Sequence, residues 1–200
     1  MPTQTNAFSR RAHDGSPSGG LWFEVELDGR KVLLDGGASV RLIAEDVTRF
    51  SPEPVDLATQ PACLRAAATL LRRTVLLPPP LVRPYFAVCA LQGWRRVQAR
   101  QLAAWSGIPM NTLKCRLATA RLTPAGVAAW NLTLHAAWLL DVAALPARTV
   151  VSCMRLGRAS ALGAALGARG VRYAAGRIEP GAFAAALERY LAVLRAAFPA

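Results

Sequence analysis

Apolar and polar residues alternate in a short segment near the start of the chain. The apolar positions are Leu21, Phe23, Val25 and Leu27. A period of two residues predicts a half-buried β-strand. Asp28-Gly29 follows, a dipeptide favoured in two-residue hairpin turns, so we expect residues 31–34 to return as the partner strand. This part of the sequence therefore predicts a β-hairpin.

The spacing of the apolar residues becomes helical after this hairpin. Apolar residues at positions 40, 43, 47 and 50 predict one helix, which ends before Pro52. A second helix begins at Pro61 and carries apolar residues at positions 64, 68, 71 and 75. Three consecutive prolines at 78–80 then form a stiff connector, which predicts a domain boundary.

Only helices are predicted from residue 81 onward. Residues 127–141 form a long apolar helix, and the last helix, opened by Pro180, carries an apolar stripe from Phe183 to Phe198. The predicted fold class is mainly α, preceded by a small α+β N-terminal piece. The predicted organisation is a flexible tail (1–20), an α+β region (21–80), a helical domain (81–177) and a C-terminal amphipathic helix (178–200).

Basic residues are concentrated in the predicted helical domain. The chain has 24 basic and 12 acidic residues, a net charge of +12. Residues 57–177 contain 16 of the basic residues and a single acid, Asp141, whereas residues 1–56 contain 6 basic and 9 acidic residues. Such a block repels itself unless a polyanion is nearby. Nucleic acid is therefore the expected partner, and an anionic membrane surface is the alternative.

The segment 100–117, RQLAAWSGIPMNTLKCRL, has the residue spacing of a helix-turn-helix. Gly107 supplies the positive φ that a sharp turn between two helices requires. Pro109 opens the second helix, where its missing amide proton costs no hydrogen bond. The second helix of such a unit enters the major groove of DNA. The inward-facing residues are Leu102, Ala103, Ile108, Leu113 and Leu117.

Residues of this second helix that face away from the core are candidates for reading bases. An asparagine reads adenine, a lysine reads guanine, and a threonine methyl contacts a thymine methyl. Arg116 and Arg121 are candidates for contacts with phosphate. For each candidate the plainer interpretation is a solvated surface residue. The candidate base-reading residues are Met110, Asn111, Thr112 and Lys114.

A similar pattern returns 48 residues later. Val150-Val151 takes the place of Leu102-Ala103, and Leu156 takes the place of Ile108. Leu162 and Leu166 then provide a second inward-facing pair one helical turn apart. The apolar helix 127–141 lies between the two patterns.

The two patterns and the helix between them resemble the DNA-binding domain of the AraC-type transcription regulators. The resemblance covers about 95 residues, roughly 82–175, and implies two helix-turn-helix subdomains bridged by one long helix. It also implies that two recognition helices enter successive major grooves of double-stranded DNA. Arg155 departs from the pattern, because a glycine is expected at that place in the turn, so the second turn is expected to be less regular.

The second recognition helix, 159–166, consists mostly of alanine, serine and glycine. Only Arg158 and Ser160 offer polar groups near its start, and Arg169 lies at its far end. We therefore expect the first unit to read most of the bases. The second unit would contribute phosphate contacts, which position a protein on DNA without specifying its sequence.

Catalytic, metal-binding and membrane-spanning functions have little support in the sequence. The four cysteines are far apart with no C-x-x-C pair, so no metal site is expected. Asp141 has no nearby carboxylate, so no enzymatic activity and no cofactor are predicted. His135 and the tryptophans of the helical domain are expected to be structural. No signal peptide or membrane span is predicted, and the expected location is cytoplasmic.

Several functions remain as alternatives. The first is a protein-interaction adaptor with a degenerate helix-turn-helix fold, and the second is a non-specific DNA binder. A peripheral membrane protein is the third, although the apolar residues form no continuous exposed face beside the arginines. Further partners left open are a second copy of the chain and the transcription machinery. No small-molecule effector is predicted, because the roughly 80 residues that precede the helical domain are few for an enclosed ligand-binding pocket.

Overall fold

The computed structural model describes residues 22–27, 30–35, 40–41 and 60–199. The described part is mainly helical, which confirms the prediction of a mainly α fold. The predicted tail 1–20, the turn at 28–29 and residues 42–50 lie outside the described residues. The described helices are α1 (Gln60–Thr74), α2 (Arg83–Gln92), α3 (Ala99–Trp105), α4 (Met110–Thr119), α5 (Pro124–Asp141), α6 (Ala147–Cys153), α7 (Ala159–Gly167) and α8 (Ala182–Ala197).

Three described strands precede the helices, and two more, β4 (Tyr173–Ala174) and β5 (Arg177–Ile178), pair antiparallel between α7 and α8, where the sequence predicted only helices. Strand β1 (Trp22–Leu27) pairs antiparallel with β2 (Arg30–Asp35), from Trp22↔Asp35 to Leu27↔Arg30. Strand β3 (Val40–Arg41) pairs antiparallel with β2 through Leu34↔Val40. The helix that the spacing predicted from Val40 therefore does not begin there, because Val40 joins the edge of the hairpin as a third strand.

Helix α1 is part of the same hydrophobic core as the helices that follow the three prolines. Its buried residues include Ala66 and Leu70, each 0% exposed, whereas its arginines at 65, 72 and 73 face solvent. The helix packs against α2, α5 and α8. The prolines form a tight bend, since the Arg83 guanidinium donates to the Pro78 carbonyl at 3.2 and 3.3 Å. The core thus runs across the connector that was predicted as a domain boundary.

Helix α5 lies at the centre of the fold. The Thr123 side chain caps its start by accepting from the Gly126 amide at 3.0 Å, and Pro124 occupies the first turn. Seven consecutive residues, Thr133–Leu139, are buried, because each of the other described helices packs against this one. The helix thereby fixes the relative positions of the two helix pairs that precede and follow it.

The close packing of α2 on α5 requires a glycine at position 93. A Cβ placed on Gly93 would lie 2.5 Å from the Cys89 carbonyl oxygen and 2.8 Å from Asn131 Cβ. Both neighbours belong to helices that cannot withdraw without disturbing the core. The chain therefore turns from α2 toward α3 at a point where any side chain would separate α2 from α5.

Three buried polar side chains of α5 bind backbone carbonyls, while Asn131 Oδ1 and His135 Nε2 are buried without a hydrogen-bond partner among the described residues. Asn131 Nδ2 donates to the Val127 carbonyl at 3.0 Å, and Thr133 Oγ1 donates to the Ala165 carbonyl of α7 at 2.9 Å. His135 is completely buried, and its Nδ1 lies 2.8 Å from the Asn131 carbonyl, the contact of an Nδ1–H donor. Burial lowers the pKa of His135 to about 4, so the ring is neutral at physiological pH. The histidine is buried in the core, as the sequence predicted.

The C-terminal helix α8 packs on its own chain. Its apolar stripe is buried against α5, and the Tyr190 ring stacks on Trp130 at 5.3 Å between ring centroids. Asp141, at the end of α5, accepts hydrogen bonds from the amides of Gly181 and Phe183 at 3.2 and 3.0 Å. Asp141, the single acid of the basic segment 57–177, thus caps the N-terminus of α8.

Candidate nucleic-acid interface

The first helix pair consists of α3 and α4 and the sharp turn between them. Leu102 and Ala103 are buried on α3, while Leu113 and Leu117 are buried on α4, both 0% exposed. Gly107 has φ +69°, the left-handed conformation that the sequence predicted for this turn. The Ile108 amide donates to the Ala103 carbonyl at 3.3 Å and closes the turn.

The outer face of α4 presents polar and basic side chains to solvent. Asn111, Thr112, Lys114 and Arg116 are exposed, and Met110 is half-buried. Within the described part of the chain, no residue forms a hydrogen bond or ion pair with the Lys114 ammonium or the Arg116 guanidinium. These groups remain available to an external partner. Met110 instead lines a shallow apolar hollow of about 350 Å³ together with Lys114, Ala118 and Pro124.

The second helix pair, α6 and α7, repeats the backbone hydrogen bonds of the first as far as Leu156. The Leu156 amide donates to the Val151 carbonyl at 3.0 Å, as Ile108 does to Ala103. Arg155 stands in the place of Gly107 and has φ +52°. The arginine thus adopts the left-handed conformation that closes the turn. The second turn still departs from the first, as expected, because it is one residue longer and Gly157 has φ +76° where Pro109 has φ −56°. Four more backbone hydrogen bonds of the first pair recur 48 residues later in the second pair. In the first pair the donors are the amides of Gln101, Leu102, Ser106 and Gly107. In the second pair they are the amides of Thr149, Val150, Met154 and Arg155.

The backbone hydrogen bonds at the ends of α4 and α7 also correspond. Here the equivalent residues are 49 positions apart in the sequence instead of 48. The Leu122 amide donates to the Leu117 carbonyl at 2.9 Å, and the Val171 amide donates to the Leu166 carbonyl at 3.1 Å. The residue before each donor has a positive φ: Arg121 at +54° and Gly170 at +70°. Sequence reasoning missed this second correspondence because an arginine conceals the left-handed position in the first pair.

The polar groups of α7 fall into two separate places. Arg158 precedes the helix as its N-terminal cap residue and Ser160 lies in the first turn, and both are exposed. Arg169 lies beyond the other end, where its guanidinium sits 5.0 Å above the ring of Trp130 on α5. Arg189 of α8 donates to the Arg169 carbonyl at 3.3 Å. Arg169 is thus packed against the core, apart from the other two residues.

The electrostatics of the two helix pairs are dominated by cations. Between residues 60 and 177 the one carboxylate side chain is Asp141, and both of its oxygens accept the backbone amides at the start of α8. Arg121 and Arg158 are exposed and lack an ion-pair partner among the described residues. Arg95 lies 5.4 Å from the ring centroids of both Trp94 and Trp105, which holds one charge beside the first pair.

Within the described residues, no group of three or more His, Cys, Asp or Glu side chains is placed to hold a metal ion. None of the described helices is both long and apolar enough to cross a membrane. No family model, curated protein or solved structure matches the chain.

Proposed function

We propose that this protein is a sequence-specific DNA-binding transcription regulator that resembles the AraC type. The hydrogen bonds that recur in the two helix pairs support the proposal most directly, because the same backbone pattern closes the turn before α4 and the turn before α7, and both helices contact the central helix α5. In a helix-turn-helix, the second helix of each pair lies in the major groove. One turn of the duplex, about 34 Å, separates two such grooves on the same face.

Helix α4 would supply most of the base reading. Asn111 would form a bidentate contact with an adenine, Lys114 would donate to a guanine, and the Thr112 methyl would contact a thymine methyl. All three side chains are exposed on the first two turns of the helix. Arg116 and Arg121, at the far end of α4, would bind phosphates and so fix the register of the helix in the groove.

Helix α7 would position the protein rather than read bases. Arg158 and Ser160 lie at its start and would contact phosphate, where the helix dipole also favours an anion. Ala164 and Gly167 are exposed and small, so the helix would approach the duplex closely. Arg169 would act indirectly, because its stacking on Trp130 holds the end of α7 against α5.

Titration of full-length protein with duplex DNA at several salt concentrations tests the proposal. Affinity is expected to fall steeply with salt as phosphate contacts release counterions. Lys114→Ala is expected to weaken binding to a preferred sequence by roughly 5- to 100-fold, the effect of losing one base contact. Arg195→Ala is the matched control, since it removes the same charge from α8 and is expected to change affinity less than about twofold. Equal losses in the two variants would contradict a reading role for α4.

A protein-interaction adaptor is the second candidate. The shortage of hydrogen-bonding side chains on the exposed face of α7 favours it, since positions 159, 164, 167 and 168 are alanine or glycine. An adaptor that does not bind phosphate would elute from a heparin column at low salt, whereas a DNA-binding protein would be retained. Early elution together with absent DNA binding would favour the adaptor.

A further inference from the structure

Two cysteines from distant parts of the sequence meet in the core. Cys63 of α1 and Cys153, the last residue of α6, have their Sγ atoms 3.4 Å apart although 90 positions separate them. Cys63 is 2% exposed, whereas Cys153 is half-buried. The other two cysteines stand elsewhere, Cys89 buried in α2 and Cys115 exposed on α4.

We propose that Cys63 and Cys153 are a redox-active pair that peroxide-type oxidants convert to an intramolecular disulfide. The two sulfurs are already in van der Waals contact, and a disulfide of about 2.05 Å requires them to approach by little more than 1 Å. Side-chain rotation supplies a movement of this size. The proposal does not depend on DNA binding, since it concerns a contact within the core.

The different exposure of the two thiols assigns their roles. The hydrogen bond with Cys153, together with burial, raises the pKa of Cys63 well above its usual range. Cys63 therefore remains a protonated thiol in contact with the Cys153 sulfur. Cys153 is the sulfur that a small oxidant reaches from solvent, and Cys63 is placed behind it as the resolving thiol.

The reaction proceeds in two balanced steps. The Cys153 sulfur attacks one oxygen of hydrogen peroxide and the O–O bond breaks. The Cys153 proton passes to the departing hydroxide, so that Cys153 sulfenic acid and one water are formed. The Cys63 sulfur then attacks the Cys153 sulfur, and the S–O bond breaks. The Cys63 proton passes to the departing hydroxide, which leaves as the second water. Two thiols and one peroxide thus give one disulfide and two waters.

The disulfide would join α1 to the first helix of the second helix pair. It would close a loop of about 90 residues, and long loops gain the most from cross-linking in the chain-entropy description. In a reducing environment the pair would stay as two thiols, and the bond would form when oxidant exceeds reductant. The oxidised protein is therefore expected to unfold at a higher temperature than the reduced protein.

Peptide mapping of full-length protein under non-reducing conditions tests the pair. Protein treated with a few equivalents of hydrogen peroxide is expected to yield one dominant peptide in which Cys63 is linked to Cys153 and two hydrogens are lost. The thermal midpoint should rise and return after reduction with dithiothreitol. Cys115→Ser is the control variant and should form the same link, whereas Cys153→Ser should form none.

The wild-type protein alone can overturn the proposal. If both Cys63 and Cys153 are alkylated in full after oxidation and denaturation, no disulfide has formed and the pair is only a packing contact. Links that involve Cys115 of two different molecules, without the Cys63–Cys153 peptide, would contradict it equally.

Discussion

Gly107 and Arg155 occupy the same position in two turns that lie 48 residues apart, and both have left-handed backbone, with φ of +69° and +52°. At the ends of the following helices the two residue types change places: the first pair has an arginine, Arg121 at +54°, and the second has a glycine, Gly170 at +70°. The first pair thus has one glycine and one arginine at its left-handed positions, and the second pair has the reverse arrangement together with a third left-handed residue, Gly157 at +76°, where the first pair has Pro109 at −56°. The hydrogen bonds that close the turn are therefore repeated more faithfully than the residue types that form it.

The left-handed arginine makes the second turn a site where a substitution should stabilise the protein. A side chain at positive φ costs about 1–2 kcal/mol, and glycine removes this cost while adding flexibility to the unfolded chain. Arg155→Gly is expected to raise the free energy of unfolding by roughly 0.5–1 kcal/mol, measured by urea denaturation.

Arg116→Gly is the control for this substitution. It removes an exposed arginine from the interior of α4, where the backbone is helical, and should lower the free energy of unfolding by about 0.5–1 kcal/mol. If Arg155→Gly lowered the stability as much as the control, strain at residue 155 would not be present.

The contact of α2 with α5 predicts opposite effects of the same substitution at two glycines. Gly93→Ala places a methyl group 2.5 Å from the Cys89 carbonyl oxygen and should destabilise the protein by about 1–3 kcal/mol. Gly167→Ala, at the end of α7, meets nothing within 4 Å and should be neutral or stabilise by up to about 1 kcal/mol. Thermal and urea denaturation of both variants measure the difference, and equal effects would refute the close approach at Gly93.

The hydrogen bonds from Gly181 and Phe183 predict that Asp141 is a cap rather than a catalytic carboxylate. Asp141→Ala should lower the free energy of unfolding by about 1 kcal/mol, the usual cost of a lost cap, and Asp141→Asn should lower it less. Glu179→Ala is a suitable control, because its ion pair with Arg172 is largely exposed and worth little. Amide exchange in the first turn of α8 should accelerate in Asp141→Ala and stay unchanged in the control.

The buried His135 predicts a pH dependence of stability. Its pKa of about 4 in the folded protein is below the value of 6.5 expected when unfolded, so the unfolded chain binds a proton that the folded protein excludes. Its contribution is fully present above the unfolded pKa and is lost as the pH falls from 6.5 toward 4. Between pH 7 and pH 5 the loss should be roughly 2 kcal/mol.

A comparison with His135→Gln isolates this contribution from the other titrating groups. Glutamine is neutral throughout the range, so the variant should lose roughly 2 kcal/mol less than the wild type between the two pH values. Urea denaturation at pH 7 and pH 5 gives both differences. Parallel losses in the two proteins would show that His135 titrates normally.

The helices and their inward faces were predictable because each leaves a periodic signal. Leu113 with Leu117, and Leu162 with Leu166, are buried as their spacing of four residues predicted. Gly107 has the conformation expected of a turn glycine, because a positive φ is the feature that distinguishes glycine from other residues. These local rules locate both helix pairs along the chain.

Contacts between distant residues could not be predicted in the same way. Nothing in the spacing indicated that Cys63 would meet Cys153 or that α1 would pack across the proline connector, since both follow from how helices assemble on α5. Arg169 was predicted as a DNA contact, but its guanidinium packs on Trp130. An arginine stacked on an aromatic ring has the same sequence signature as one exposed to solvent.

Selection of bound sequences from a random pool of duplex DNA tests the central claim most directly. Full-length protein at near-physiological salt is expected to enrich a motif with two elements about ten base pairs apart, the stronger one read by α4. Binding that enriches no motif and disappears at moderate salt would contradict sequence-specific regulation.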